Sequence, residues 1–161
     1  MLLAATMAVL SGPTASASIG LPPHPLNLAY LQFCFTPPSS QPTGNLSFRA
    51  CANIWRKKNG AIDSTAFKAT YSVPTAGRVY VEQVEVAEVT DNESDICTLP
   101  KESRWMTAGS SADCLLTAVL TTGQFHANIR WLSESVPTLR TTTIDIRCED
   151  PHGTPSCHLL S

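Results

Sequence analysis

The sequence predicts an all-β fold, a two-sheet antiparallel β-sandwich stabilised by disulfides. Short runs rich in Val, Ile, Thr and aromatic residues recur between turn signals, which is typical of sandwiches and barrels. The chain has six cysteines, an even number that indicates a disulfide framework in a secreted protein. In the tail, the spacing of Cys148 and Cys157 suggests a small disulfide loop that closes a β domain.

Seven runs are predicted to be strands, a number that suits two packed sheets. The clearest run alternates Phe125, Ala127, Ile129 and Trp131 with polar residues, and this period of two places one face inside. No segment shows a helical stripe of useful length. The predicted strands cover residues 26–35, 46–55, 66–73, 78–89, 115–121, 124–133 and 139–148.

The fourth of these runs has apolar residues at both parities. Val79 and Val81 occupy odd positions, whereas Val84 and Val86 occupy even ones. The strand is therefore either buried on both faces or bulged near Glu82.

The start of the chain predicts secretion. Residues 1–17 contain an apolar stretch followed by Ala15-Ser16-Ala17, which matches the cleavage pattern of a signal peptide, although no Lys or Arg precedes the stretch. Asn45 and Asn92 lie in sequons and are predicted glycosylation sites. We expect an extracellular protein, membrane-anchored if its full length continues beyond Ser161.

Removal of this leader leaves about 144 residues, which is enough for one domain with a real core. A formal charge of −2 provides no long-range field for nucleic acid. The sequence contains no nucleophile elbow, phosphate-binding glycine loop or H-E-x-x-H pair, so we expect no enzyme activity. Ser110, Asp113 and His126 are the residue types of a catalytic triad, but nothing in the sequence brings them together.

Two clusters contain residue types that bind metals. Cys148, His152, Cys157 and His158 are zinc-ligand types, although an oxidising compartment favours a disulfide with two exposed imidazoles. Asp91, Glu93 and Asp95 alternate with polar residues in a predicted loop. They are weak candidates for a calcium site, and a solvated loop is the default interpretation.

Short motifs in a fixed order point to a family. Cys148 and Cys157 also match the first two cysteines of a DSL domain, the second module of Notch ligands. The other motifs are residues 26–33 (LNLAYLQF), 48–51 (FRAC), 67–71 (FKATY) followed by Pro74 and Gly77, the apolar run 79–89, 120–124 (LTTGQ) and 138–140 (TLR). Together they resemble the N-terminal (MNNL) module of Notch ligands of the Delta and Serrate/Jagged type. The sequence departs from the family inside the DSL loop. His152 and Gly153 stand where the family has a Tyr or Phe and a glycine, and the glycine is displaced by one position.

This resemblance implies a C2-like β-sandwich over residues 26–147 and the truncated start of a DSL domain over 148–161. It implies binding to EGF-like repeats of a Notch receptor, contact of the sandwich loops with phospholipid in some members, and a role in cell–cell signalling and development, as a fragment or a secreted modulator. The implied receptor-facing residues are Arg49, Ile54, Trp55 and Phe67. Phe67 is equally consistent with the core, because aromatic residues on strands are usually buried.

The main alternative is a secreted lipid carrier of the MD-2-related lipid-recognition type, which is also a sandwich of this length with several disulfides. A secreted inhibitor or effector without a Notch partner is a third interpretation. Cysteine pairing separates the first two, because the carrier usually ties its first strand to a late one. For the Notch-ligand type we expect the local pairs Cys34–Cys51, Cys97–Cys114 and Cys148–Cys157.

Overall fold

The protein folds as two packed antiparallel sheets, as the sequence predicts. The structure is a computed structural model that describes residues 29–59, 62–89, 93–118, 122–150 and 154–160. The predicted signal peptide lies outside these residues. Within them, no helix is long and apolar enough to cross a membrane.

The described part of the chain contains ten strands and one short 3-10 helix, Lys101–Ser103. The strands are β1 Ala29–Phe35, β2 Ser47–Arg56, β3 Ile62–Ser72, β4 Arg78–Glu88, β5 Glu93–Cys97, β6 Trp105–Thr107, β7 Ser111–Ala118, β8 Gly123–Ser133, β9 Arg140–Glu149 and β10 Ser156–Leu159. One sheet has four strands in the order β1-β2-β3-β7. The other has six: β10-β9-β8-β4-β5 in order, with β6 also paired to β4.

The core lies between the two sheets. In the four-stranded sheet, Phe48 pairs with Tyr71 and Ala52 with Phe67, and all four side chains are buried. On β8 the predicted alternation is confirmed, because Phe125, Ala127, Ile129 and Trp131 are all fully buried. The rings of Phe67 and Phe125 meet across the two sheets, with centroids 5.2 Å apart.

Strand β4 contains the bulge that the sequence allowed near Glu82. Its register against β8 shifts between Val81, which pairs with Trp131, and Gln83, which pairs with Arg130. Since the extra residue resets the alternation, Val79, Val81, Val84 and Val86 all become buried. The alternative, a strand with both faces in the core, is thereby excluded: Gln83 and Glu85 face outward and are half-buried.

The loop between β1 and β2 closes one side of the six-stranded sheet. The Thr142 hydroxyl donates to the Pro42 carbonyl at 2.8 Å, and the backbone N–H of Thr143 donates to Oε1 of Gln41 at 2.6 Å. Gly44 adopts a φ of +55°, and a Cβ there would lie 3.2 Å from the Trp131 ring. The loop is thus tied to β9 by hydrogen bonds and to β8 by close packing.

All six cysteines form disulfides, in the local pairs that the resemblance implies. Cys34–Cys51 joins directly opposite residues of β1 and β2, and Cys148–Cys157 does the same for β9 and β10. Cys97–Cys114 differs, because it joins β5 of one sheet to β7 of the other. Two disulfides therefore fasten neighbouring strands, and the third fastens the two sheets.

Candidate functional site

The four residues implied to face a receptor are divided between the two sides of the four-stranded sheet. Phe67 and Ile54 point into the interior and are 0% and 1% exposed, so the implied receptor-facing role is wrong for both. Phe67 is a core residue. Arg49 and Trp55 lie on the outward side of β2, where Arg49 is exposed and Trp55 is buried. The outward side of β2 is therefore the surface on which the two remaining implied residues lie.

The outward surface of β1 and β2 carries an ordered group of polar and aromatic side chains, which we call the Tyr30 face (Tyr30, Gln32, Arg49, Asn53 and Trp55). The Tyr30 hydroxyl donates to Oδ1 of Asn53 at 2.6 Å, and Nε2 of Gln32 donates to the same oxygen at 2.8 Å. Asn53 is fully buried, and its Nδ2 donates to the Cys51 and Ala66 carbonyls. These bonds fix the orientation of the exposed side chains above it.

Tyr30 is the most prominent side chain of this face. It is 46% exposed, and its ring lies 5.5 Å from the Trp55 ring. Partial burial raises its pKa above the usual 10.0, so the hydroxyl remains a hydrogen-bond donor throughout the physiological range. Further along the same sheet surface, Lys68 and Asp113 form an ion pair with 2.8 Å between nitrogen and oxygen.

The opposite side of the molecule has a second polar surface, on the outer face of the six-stranded sheet. A depression of about 320 Å³ is lined by six residues of three strands. We call it the polar groove: Gln83, Glu85, Asn128, Arg130, Thr141 and Thr143. The Thr143 hydroxyl donates to Oδ1 of Asn128 at 2.7 Å, and Nδ2 of Asn128 lies 3.5 Å from Oε2 of Glu85.

An aromatic group lies on the same outer face of this sheet. Trp105 on β6 pairs with Tyr80 on β4, and their ring centroids lie 5.5 Å apart. The Arg78 guanidinium lies over the Trp105 ring, 5.3 Å from its centre, and is paired with Glu134. We call this group the Trp105 platform (Arg78, Tyr80 and Trp105). Trp105 is 43% exposed, so the part of its side chain that Arg78 and Tyr80 leave uncovered is accessible to a ligand.

The metal and catalytic hypotheses receive no geometric support within the described residues. No group of three His, Cys, Asp or Glu side chains there could hold a metal ion. Asp91 and His152 lie outside the described residues, but Glu93 and Asp95 lie on strand β5 and not in the predicted loop. Of the zinc-ligand types, Cys148 and Cys157 are joined to each other.

The residues of the hypothetical triad are on different sheets. Asp113 is on β7 and His126 is on β8, and both side chains face outward on opposite sides of the sandwich. Ser110 precedes β7. The fold therefore does not assemble these groups into one site.

The predicted glycosylation site at Asn45 lies against the β3–β4 turn. Its Nδ2, the atom that would carry the sugar, donates to the Ala76 carbonyl at 3.4 Å. A Cβ on Gly77 would lie only 2.7 Å from it. Asn92 lies outside the described residues.

No protein-family model matches this chain, and no curated protein matches it.

Proposed function

We propose that the protein is an extracellular recognition module of the Notch-ligand type, which binds EGF-like repeats of a Notch receptor and catalyses no reaction. The observation that carries this proposal is the cysteine pairing. The first cysteine is joined to the second, the third to the fourth and the fifth to the sixth, at separations of 17, 17 and 9 residues. The resemblance implies this local pattern, whereas a lipid carrier of the alternative type ties its first strand to a late one.

The packing of the interior also favours recognition over lipid transport. A carrier of the alternative type would hold an apolar ligand between its sheets. Here the space between the sheets contains Phe67, Phe125 and Trp131, which are all fully buried, and two of these rings are in contact. Their side chains occupy the volume that a lipid chain would need.

The Tyr30 face is the surface that we assign to the receptor. It includes Arg49 and Trp55, two of the four residues that the resemblance implies, and Trp55 pairs with Tyr30. Tyr, Trp and Arg are the residue types that contribute most to protein interfaces. The hydrogen bonds through Asn53 order Tyr30 and Gln32 before binding, which lowers the entropic cost of association.

Binding of the full chain to recombinant EGF-like repeats of Notch receptors, measured by biolayer interferometry, tests the proposal. We expect Tyr30→Ala and Arg49→Ala each to weaken binding, and Tyr30→Ala by about 2 kcal/mol or more, about 30-fold in Kd. Trp105→Ala, on the opposite side of the sandwich, is the matched control and should bind like the wild type. Absence of wild-type binding to any of the repeats would refute the proposal.

Two further measurements address the other ligands. Native mass spectrometry of the purified chain should show no bound fatty ligand, and a stoichiometric one would support the carrier instead. Co-sedimentation with phosphatidylserine vesicles tests the proposed contact between the sandwich loops and phospholipid.

A further inference from the structure

The Trp105 platform and the polar groove lie on the same outer face of the six-stranded sheet. Trp105 pairs with Tyr80, and the next outward position on β4 after Tyr80 and the bulge belongs to Gln83, which pairs with Arg130 on β8. Arg130 in turn pairs with Thr141 on β9. Successive outward rows of a sheet lie about 7 Å apart along the strands. The aromatic platform is therefore one row away from the first row of groove side chains.

The groove presents the hydrogen-bonding groups that hydroxyl-rich ligands require. A threonine hydroxyl can both donate and accept a hydrogen bond. A side-chain amide donates from its nitrogen and accepts at its oxygen, and the Glu85 carboxylate accepts hydrogen bonds. The Asn128 amide is oriented by Thr143 and Glu85. Gln83 and Thr141 line the depression, Gln83 half-buried and Thr141 exposed, and their side chains make no hydrogen bond with the described residues.

The charges in the groove oppose an anionic ligand. Among the described residues that line it, Arg130 is the one cationic group, and it is paired with Glu82 at 3.1 Å. Glu85 leaves the groove with a net negative charge. A sulfated sugar or a nucleic acid would therefore approach the Glu85 carboxylate while the Arg130 guanidinium is neutralised by its own partner, whereas a neutral polyhydroxyl chain meets no such repulsion.

The platform supplies the apolar part of the surface. A pyranose ring has one face of C–H groups, and such a face packs against the flat, apolar body of an indole ring. Trp105 is held in place by Tyr80 and by the Arg78 guanidinium, which lies over its ring, so a sugar would pack on the part of the indole that these two side chains leave exposed. All of these residues lie on strands, which are rigid supports for a binding site.

We propose that this surface binds a neutral oligosaccharide chain, with one sugar ring packed on Trp105 and the next hydroxyls hydrogen-bonded in the polar groove. The site is on the opposite side of the sandwich from the Tyr30 face. It is therefore independent of the proposed receptor contact, and each can be wrong without the other.

Affinity electrophoresis of the full chain in native gels tests this directly. The probes are soluble neutral polysaccharides (glucomannan, xyloglucan and glycol chitin), with heparin as the anionic probe. Ribonuclease B, with ribonuclease A as its sugar-free counterpart, separates a protein-linked glycan from a free polysaccharide when immobilised on a biosensor. We expect binding to at least one neutral probe or to ribonuclease B, and no binding to ribonuclease A.

Variants matched by residue type locate the site. Trp105→Ala and Gln83→Ala should each weaken sugar binding by about tenfold or more, as expected for an aromatic anchor and a central polar contact. Tyr30→Ala and Gln32→Ala, on the other sheet, should leave it unchanged. Should Trp105→Ala fail to fold by circular dichroism, Thr141→Ala replaces it, because Thr141 is exposed and outside the core. Binding of no probe, binding of heparin alone, or binding that the Trp105, Gln83 and Thr141 variants all retain would overturn the proposal.

Discussion

The Phe67 side chain fills space between the two sheets, and its removal tests whether it serves the fold or a partner. We expect Phe67→Ala to lower the free energy of unfolding by about 3 to 5 kcal/mol, because the lost ring leaves a cavity beside Phe125. Urea denaturation followed by tryptophan fluorescence measures this. Leu139→Ala is the control, since Leu139 is exposed and should cost less than about 0.5 kcal/mol. Similar losses for the two variants would contradict a core role.

Tyr71 gives the stability of the protein a dependence on alkaline pH. Burial first, and the nearby Asp113 carboxylate second, raise the pKa of Tyr71 from 10.0 to about 12. Because the folded-state pKa is the higher one, the unfolded chain loses this proton first, so stability is complete below pH 10 and falls as the pH rises toward 12. The predicted loss is about 3 kcal/mol.

Urea unfolding at a series of pH values from 8 to about 12 checks this prediction. Tyr71→Phe removes the ionisable group and keeps the ring, so its stability should fall less over the same window. If the wild type and the variant lose stability in parallel, other groups cause the alkaline loss.

At the scale of single elements, the β4 bulge decides which side chains the strand buries. Deletion of Glu82 should restore strict alternation and force either Val79 and Val81 or Val84 and Val86 out of the core. Exposure of two valines should cost about 3 kcal/mol or more. Glu82→Ala keeps the bulge and loses only a partly exposed ion pair with Arg130, so it should cost less than about 1 kcal/mol. Thermal denaturation of the two variants compares them, and equal melting temperatures would argue against this role of the bulge.

Strand prediction succeeded where a strand buries one of its own faces. Each of the seven predicted runs overlaps a strand of the described residues, and β8 is the clearest because four of its side chains are fully buried. Strands β5, β6 and β10 were missed. The side chains of β5 are mostly exposed, with Ile96 53% exposed. The strand is held in the sheet by its pairing with β4 and by the disulfide of Cys97. β10 is four residues long and is attached through Cys157, so its structure comes from contacts distant in sequence.

The candidate sites were harder to predict than the strands. Asn128 contacts Glu85 from 43 residues away and Thr143 from 15, and only the strand register brings the three together. The Tyr30 face was partly anticipated through Arg49 and Trp55. Ile54 was misplaced because a one-residue difference on a strand changes which side of the sheet a side chain faces.

At the scale of the whole molecule, the three disulfides have different tasks. Cys97–Cys114 and Cys34–Cys51 enclose loops of equal length, with 17 residues of separation each. Loss of either should lower the free energy of unfolding by about 3 kcal/mol, because the unfolded chain gains conformational entropy. Their effects on the native state should differ, because only Cys97–Cys114 joins the sheets.

We expect hydrogen exchange to reveal this difference. In a Cys97→Ala/Cys114→Ala variant, the amides of Glu93 and Asp95, which face β4, should exchange faster than in the wild type, since β5 loses its link to β7. In a Cys34→Ala/Cys51→Ala variant they should be unchanged relative to global stability. Equal acceleration in both variants would show that the bond between the sheets has no special role.

The hydrogen bond from Thr143 to Gln41 has a consequence for self-association. β10 pairs with β9 only from Ile146 to Glu149, so the earlier part of β9 would offer free backbone groups to a strand of another molecule. The Gln41 side chain occupies the Thr143 donor, and the Leu160 N–H occupies the Asp145 carbonyl. The Gln41 side chain and the Leu160 backbone thus occupy two of the positions at which intermolecular β-sheet growth and aggregation would begin.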